Sequence, residues 1–360
     1  MSLIKKIVSI RGMGQVISVS AALIVMVAAF GTINPLFFSG ENTINLLRQV
    51  APILIIGIGQ SMVLITAGID LSIGSVAGMS CMLSAVIITK TNIHPYLAIV
   101  ITIFCGCCIG LTNGFLVSRT KLPAFIATLG TMIIARGVAQ MNGQNTDGIV
   151  RTGYIYNEAA ENVRQFFYYG KLLGVYSTTW IALVLFLVFA FILAKTRTGR
   201  HTYAIGSNYE AAKLSGVRVV LAETKVYIFS TFLSSTVGII LMAQSGMGSM
   251  DAGNMYELNG VAASVIGGVS TMGGQGLLFG TVIGASIWGV LQNGLMFAGA
   301  PLALRNIVIG IVVIISVLID RIARGNLGIG GLFAGAGKKA KSKENTNVGS
   351  GKGASENQQD

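Results

Sequence analysis

The chain reads as an all-α polytopic membrane protein of about ten transmembrane helices, and three observations predict it. Of 360 residues, 53% are hydrophobic and only 11% are charged, where a soluble chain carries roughly a quarter. Mean hydropathy is +0.74. Charge-free runs recur at about the 20-residue length that a helix needs to cross the hydrocarbon core. These values exclude a soluble enzyme, a disordered chain and a nucleic-acid-binding domain.

The first seven spans are read at 15–33, 50–66, 73–89, 95–117, 123–141, 178–194 and 226–244, the fifth interrupted by Arg136. No charge appears from Leu258 to Leu304, which is room for two spans and a turn. The glycine-rich stretch 271–276 divides it. The eighth span, 258–270, is short enough to be broken or re-entrant, and 303–319 makes a tenth. Lys5, Lys6 and Arg11 before an apolar run resemble a signal peptide. The uncharged stretch continues to Gly40 with no clear A-x-A site, so it is read as a retained first span.

Ten crossings with both termini cytoplasmic place eighteen of the 25 Lys and Arg residues inside and six outside, with Arg136 in a span. That bias is the positive-inside pattern. It accounts for the net charge of +12 as topology rather than ligand binding. Residues 1–333 form the transmembrane domain, with a cytoplasmic loop at 195–225. Residues 334–360, rich in Gly, Lys, Ser and Asn, form a basic cytoplasmic tail too polar to fold. The outer loop 142–177 carries Tyr154, Tyr156, Phe166, Phe167, Tyr168 and Tyr169, suited to the lipid interface or to a docking face.

Cys81, Cys105, Cys107 and Cys108 lie in apolar runs and are read as buried free thiols. Neither a zinc set nor a phosphate-binding loop is present in the sequence, and the two histidines, His94 and His201, stand apart. Catalysis, metal binding and ATP hydrolysis by this chain are therefore not expected. Small-x-x-x-small spacings at Gly106/Gly110, Gly110/Gly114 and Gly280/Gly284 suit close helix packing.

What remains for such a bundle is translocation. Ionisable groups at membrane depth are costly and face a cavity or a partner, which selects Asp70 and Arg136. A neutral solute also needs hydrogen-bonding groups, and Asn113, Thr128, Thr131, Gln244, Gln292 and Asn293 can supply them. Each can equally serve as inter-helix hydrogen bonding. In the inner loop, Ser207 or Asn208 can N-cap a short helix, with Glu210 in its first turn and Gly216 as its stop. Such a helix is a rigid lever for a soluble partner, or else a surface helix on the membrane.

Four stretches carry a resemblance: Ala67-Gly-Ile-Asp-Leu-Ser-Ile-Gly-Ser75, Pro123-Ala-Phe-Ile-Ala-Thr-Leu-Gly-Thr131, Thr198-Gly-Arg200 through Glu210-Ala211-Ala212 to Gly216, and Tyr256-Glu-Leu through Gly273-Gly274. By these the chain resembles the permease subunits of bacterial ABC importers for monosaccharides of the ribose and galactose type, over most of residues 10–322. The resemblance implies a permease homodimer and a cytoplasmic ATPase, carrying ATP and Mg, that grips the loop at Glu210, Ala211, Ala212 and Gly216. It further implies a periplasmic or lipid-anchored sugar-binding protein, residence in the inner membrane, and no cofactor or enzymatic activity of this chain. The family usually has Asp-Ala after Tyr-Glu-Leu, where this chain has Asn259-Gly260. Importers of nucleosides or branched-chain amino acids are the alternative in the same superfamily. An ion-coupled secondary transporter, often built with broken helices, is the rival from another class.

Overall fold

The computed structural model describes residues 13–146, 149–152, 154–155 and 158–323. The chain divides into two compact units, Met1–Val313 and Ile314–Asp360, and the relationships below lie within the first. The expected basic tail falls outside the described residues.

The helices are α1 (Met13–Ile33), α2 (Gly40–Ile65), α3 (Ile73–Lys90), α4 (Pro95–Ser118), α5 (Ala124–Met141), α6 (Glu158–Arg164), α7 (Ser177–Lys195), α8 (Arg197–Ser207), α9 (Tyr209–Leu214), α10 (Val219–Ser245), α11 (Tyr256–Ile266), α12 (Leu278–Phe297) and α13 (Leu302–Ala323). Two short antiparallel hairpins interrupt the otherwise helical chain: β1 (Gln144–Thr146) with β2 (Ile149–Arg151), and β3 (Lys171–Leu172) with β4 (Val175–Tyr176).

Among the described residues, eight helices are long and apolar enough to cross a membrane. They coincide with predicted spans one to seven and the ninth. The eighth prediction corresponds to α11, whose 11 residues reach only about 16 Å at 1.5 Å per residue and cannot cross alone. The tenth corresponds to α13, apolar over Ala303–Val312.

Two helices begin well before their charge-free runs. Ser39 caps α2, its hydroxyl accepting from the Asn42 N–H at 3.2 Å, and Glu41 in the first turn suits the positive end of the dipole. Arg48, which falls between the first two predicted spans, is therefore helical. Its guanidinium stacks on Tyr168 and Tyr176 at 4.7 and 3.9 Å, which masks its charge. The outer-loop aromatics thus divide. Tyr168 is buried on the bundle, the Tyr169 hydroxyl donates to the Gln244 carbonyl at 2.8 Å, and Tyr154 and Phe166 stay exposed. Tyr156 lies outside the described residues. Helix α10 starts at Val219, and Gly246, at φ +68, ends it in the left-handed conformation.

Helices α2, α10, α3 and α12 are buried over 83%, 78%, 72% and 72% of their apolar stretches, while α1, α7, α5 and α4 are buried over only 11%, 22%, 28% and 33%. The first four form the core and the others present apolar faces outward. The expected small-residue seams are present. Gly106, Gly110 and Gly114 of α4 face Ser235, Thr231 and Thr224 of α10, and Gly280 and Gly284 of α12 face the backbone of α11. Close backbone approach supplies packing that lipid does not drive. The cysteines are free, but only Cys81 is buried; Cys108 is exposed on α4, because the outward side of a peripheral helix needs apolar rather than enclosed residues.

Candidate functional site

Two breaks interrupt the helical pattern, each packed in part against the bundle. Residues 66–72 separate α2 from α3, and residues 246–255 separate α10 from α11. Ala67 and Met255, at φ +63 and +66, take a left-handed conformation that is unfavourable for residues with a Cβ, so packing must impose each turn. Gly260 of α11 packs on Ile56 and Gln60 of α2, and Ile56 lies roughly 14 Å along the helix from Ile65. The starts of α3 and α11 therefore meet deep within the bundle. Half-helix N-termini at that depth are a recurring feature of solute sites in transporters.

Asp70 holds the start of α3. It is fully buried, and Oδ1 accepts the Ser72 N–H at 3.0 Å and the Ser72 hydroxyl at 2.6 Å. Oδ2 accepts the Ser230 hydroxyl of α10 at 3.0 Å. The Asn113 amide donates to Ser72 Oγ at 2.9 Å, and the Thr131 hydroxyl donates to Asn113 Oδ1 at 2.6 Å. The Thr128 hydroxyl reaches the Ile69 carbonyl at 3.5 Å. Four of the residues selected from sequence are thus joined in one buried polar network across α3, α4, α5 and α10. Ser234 adds a hydrogen bond to the Ile73 carbonyl.

Arg136 stands beside this network. Its Nε donates to Ser75 Oγ at 3.0 Å and its Nη2 to Asn254 Oδ1 at 3.4 Å. Asn293 lies elsewhere, in a reciprocal amide pair with Asn42 at 3.0 and 3.1 Å that clasps α12 to α2. Gln292 is half-buried beside it in sequence and is not brought to the network. Sequence reasoning missed Ser75, Asn254 and Glu257. The Tyr256-Glu-Leu stretch was the available signal, but nothing in the sequence brings it onto α3.

On the predicted inner side, α9 forms as expected. Asn208 caps it, its Oδ1 accepting the Ala211 N–H at 2.9 Å, and Gly216 follows at φ +81. Glu210, Ala211, Lys213 and Gly216 are exposed, and Leu214 is 87% exposed. Ala212 instead packs inward with Ile205, Val219 and Ala222, so it seats the helix rather than meeting a partner. Lys121 donates to the Tyr209 hydroxyl, tying the α4–α5 connection to α9.

Helix α8 carries α9 onto the bundle. Gly206 lies directly on the Ile65 carbonyl and close to the Gly274 nitrogen, and the Gly274 N–H donates to the Ile65 carbonyl at 2.8 Å. The Tyr203 hydroxyl donates to the Gly276 carbonyl at 2.7 Å, and burial raises that phenol above its ordinary value. A displacement of α9 can reach the end of α2 and the 267–277 segment between α11 and α12 through these contacts.

Residues 42–317 match the family described as branched-chain amino acid transport system / permease component. The chain is 36% identical over 299 residues to the ribose import permease protein RbsC of Escherichia coli K12, covering 83% of this chain and 91% of that protein. It is 37% identical over 317 residues to RbsC of Bacillus subtilis strain 168, covering 88% and 96%. It is 34% identical over 303 residues to the fructose import permease protein FrcC of Rhizobium meliloti, covering 83% of each. No solved structure matches.

Proposed function

The chain belongs to the family described as branched-chain amino acid transport system / permease component, and from that premise we propose that it is the membrane-spanning subunit of an ATP-driven ABC importer that carries a monosaccharide such as ribose or galactose across the bacterial inner membrane. The observation that supports this most is the likeness to ribose and fructose import permeases across 83% to 88% of the chain. The broken helices are common to ion-coupled carriers as well and do not separate the two classes.

In this reading the chain performs no chemistry. Two copies line the path, a binding protein delivers sugar to the outer mouth, and a cytoplasmic ATPase holds ATP and Mg. The exposed face of α9, with Glu210 and Leu214, takes the push of that ATPase. The contacts of Gly206 and Tyr203 carry it to Ile65 and to the segment before α12. The breaks at 66–72 and 246–255 are the places where α3 and α11 can shift without unwinding a helix. ATP then selects between inward- and outward-open arrangements by binding them unequally.

The decisive experiment reconstitutes the permease with its cognate ATPase and binding protein in vesicles and follows radiolabelled sugar. ATP-dependent accumulation is expected. Accumulation by this polypeptide alone, driven by an ion gradient and indifferent to nucleotide, would end the proposal.

A further inference from the structure

A polar patch borders α5, one of the helices long and apolar enough to cross a membrane. Arg136 and Glu257 are half-buried there, and Asn254 is exposed. A charged or polar side chain within a membrane-spanning helix faces water or another protein rather than lipid.

The patch is built rather than incidental. Ser75, itself buried, fixes the Arg136 guanidinium through Nε, which leaves its outer nitrogens to reach Asn254 and beyond. Glu257 sits in the first turn of α11, with its Oε2 lodged against Gly74 in the first turn of α3. That oxygen is buried and has no hydrogen-bond partner. Behind Gly260, one turn further along α11, Gln60 is fully buried with neither amide atom paired. Buried polar atoms are normally satisfied, so this concentration of unused capacity marks a place where something else supplies the bonds. Among the described residues no ion pair joins Arg136 to a carboxylate, so donor and acceptor stand near each other without a direct contact.

We propose that Arg136, Asn254 and Glu257 form the hydroxyl-recognition site of the translocation path, in which adjacent hydroxyls of a sugar accept from the guanidinium and donate to the carboxylate and amide. Adjacent hydroxyls are both donors and acceptors, so they bridge such a set where a purely apolar solute cannot. This deepens the importer reading and rests on it.

The test measures uptake of radiolabelled D-ribose, D-fructose, D-galactose and L-leucine by cells carrying the complete importer, for wild type, Glu257→Gln, Asn254→Ala and Arg136→Lys. Membrane abundance of each variant is measured by immunoblot. The expected result is wild-type uptake of at least one sugar, with a tenfold or greater fall per variant at equal abundance. A changed order of preference among the three sugars is also expected. Because a variant could be lost to misfolding, Asn254→Cys provides a second arm. A charged, membrane-impermeant thiol reagent should modify it above the wild-type background, and the transported sugar should slow modification at least threefold. Wild-type uptake of sugar with all variants within twofold overturns the site alone. So does an Asn254→Cys protein whose new thiol the reagent cannot reach, or whose new thiol crosslinks two copies to each other. Uptake of leucine and no sugar, or of none of the four, overturns the monosaccharide reading and the site with it.

Discussion

The carboxylate of Glu257 rests on the α-carbon of Gly74, so the first turns of α11 and α3 touch inside the bundle with no side chain of residue 74 between them. A Cβ at position 74 would also stand 2.7 Å from the Gly253 carbonyl oxygen. Gly74→Ala is therefore expected to force α3 away from the 246–255 segment. Overpacking of this kind costs about 1–3 kcal/mol. Thermal unfolding of the detergent-purified protein should show a lower midpoint, and transport should fall with it. A midpoint and uptake equal to wild type would show that the two turns can part freely.

Asp70 accepts three hydrogen bonds at the start of α3. Asp70→Ala strands the Ser72 and Ser230 hydroxyls and the Ser72 N–H, at about 1–3 kcal/mol for each group left without a partner. Asp70→Asn keeps an acceptor on Oδ1 and is expected to lose less than half as much. Comparing the two denaturation midpoints checks this. Equal losses would mean that charge, not the geometry of the cap, is what the position requires.

The Asn42–Asn293 pair ties α2 to α12 away from the polar network. Hydrogen bonds between membrane helices average only about 0.6 kcal/mol, with a maximum near 1.7. A double-mutant cycle with alanine at both positions should return a coupling in that range, with the KM for sugar unchanged. A several-fold rise in KM for Asn293→Ala would instead put that residue on the path.

On α9, Glu210 and Leu214 point away from the bundle while Ala212 points into it. Glu210→Ala and Leu214→Asp should leave the protein folded and abundant. They should weaken its association with the ATPase by tenfold or more and reduce sugar-stimulated ATP hydrolysis in parallel. Ala212→Asp should instead lower thermal stability. Wild-type association in both outward-facing variants would remove α9 from the contact.

Much of the fold was legible because lipid demands long apolar helices, and the charge-free runs report them directly. The runs under-reported α2 and α10, whose N-terminal turns carry charge, at Arg48, stacked on two tyrosines, and at Glu223 and Lys225. They over-reported α11, because an uncharged stretch looks alike whether it crosses the membrane or turns back within it. At the site, Asp70, Asn113, Thr128 and Thr131 stood out as polar residues in apolar surroundings, and the fold brings them together. Glu257 and Asn254 did not stand out, because they border a run and acquire their setting only when α11 folds against α3. Asn293 looked the same as Asn113 in sequence, yet its partner is Asn42, a long-range pairing that no local pattern announces.

At the junction of Gly206, Ile65 and Gly274 the chain meets itself backbone to backbone. Nothing there can be enlarged, while residues around Arg136 and Asn254 lie on an open face. Under the proposed site and the proposed lever, cargo preference and engine fit sit on separate parts of one chain. A hybrid that exchanges only the segments of α5 and α11 around Arg136 and Glu257 with those of a relative should inherit a new diet while still answering to its original motor.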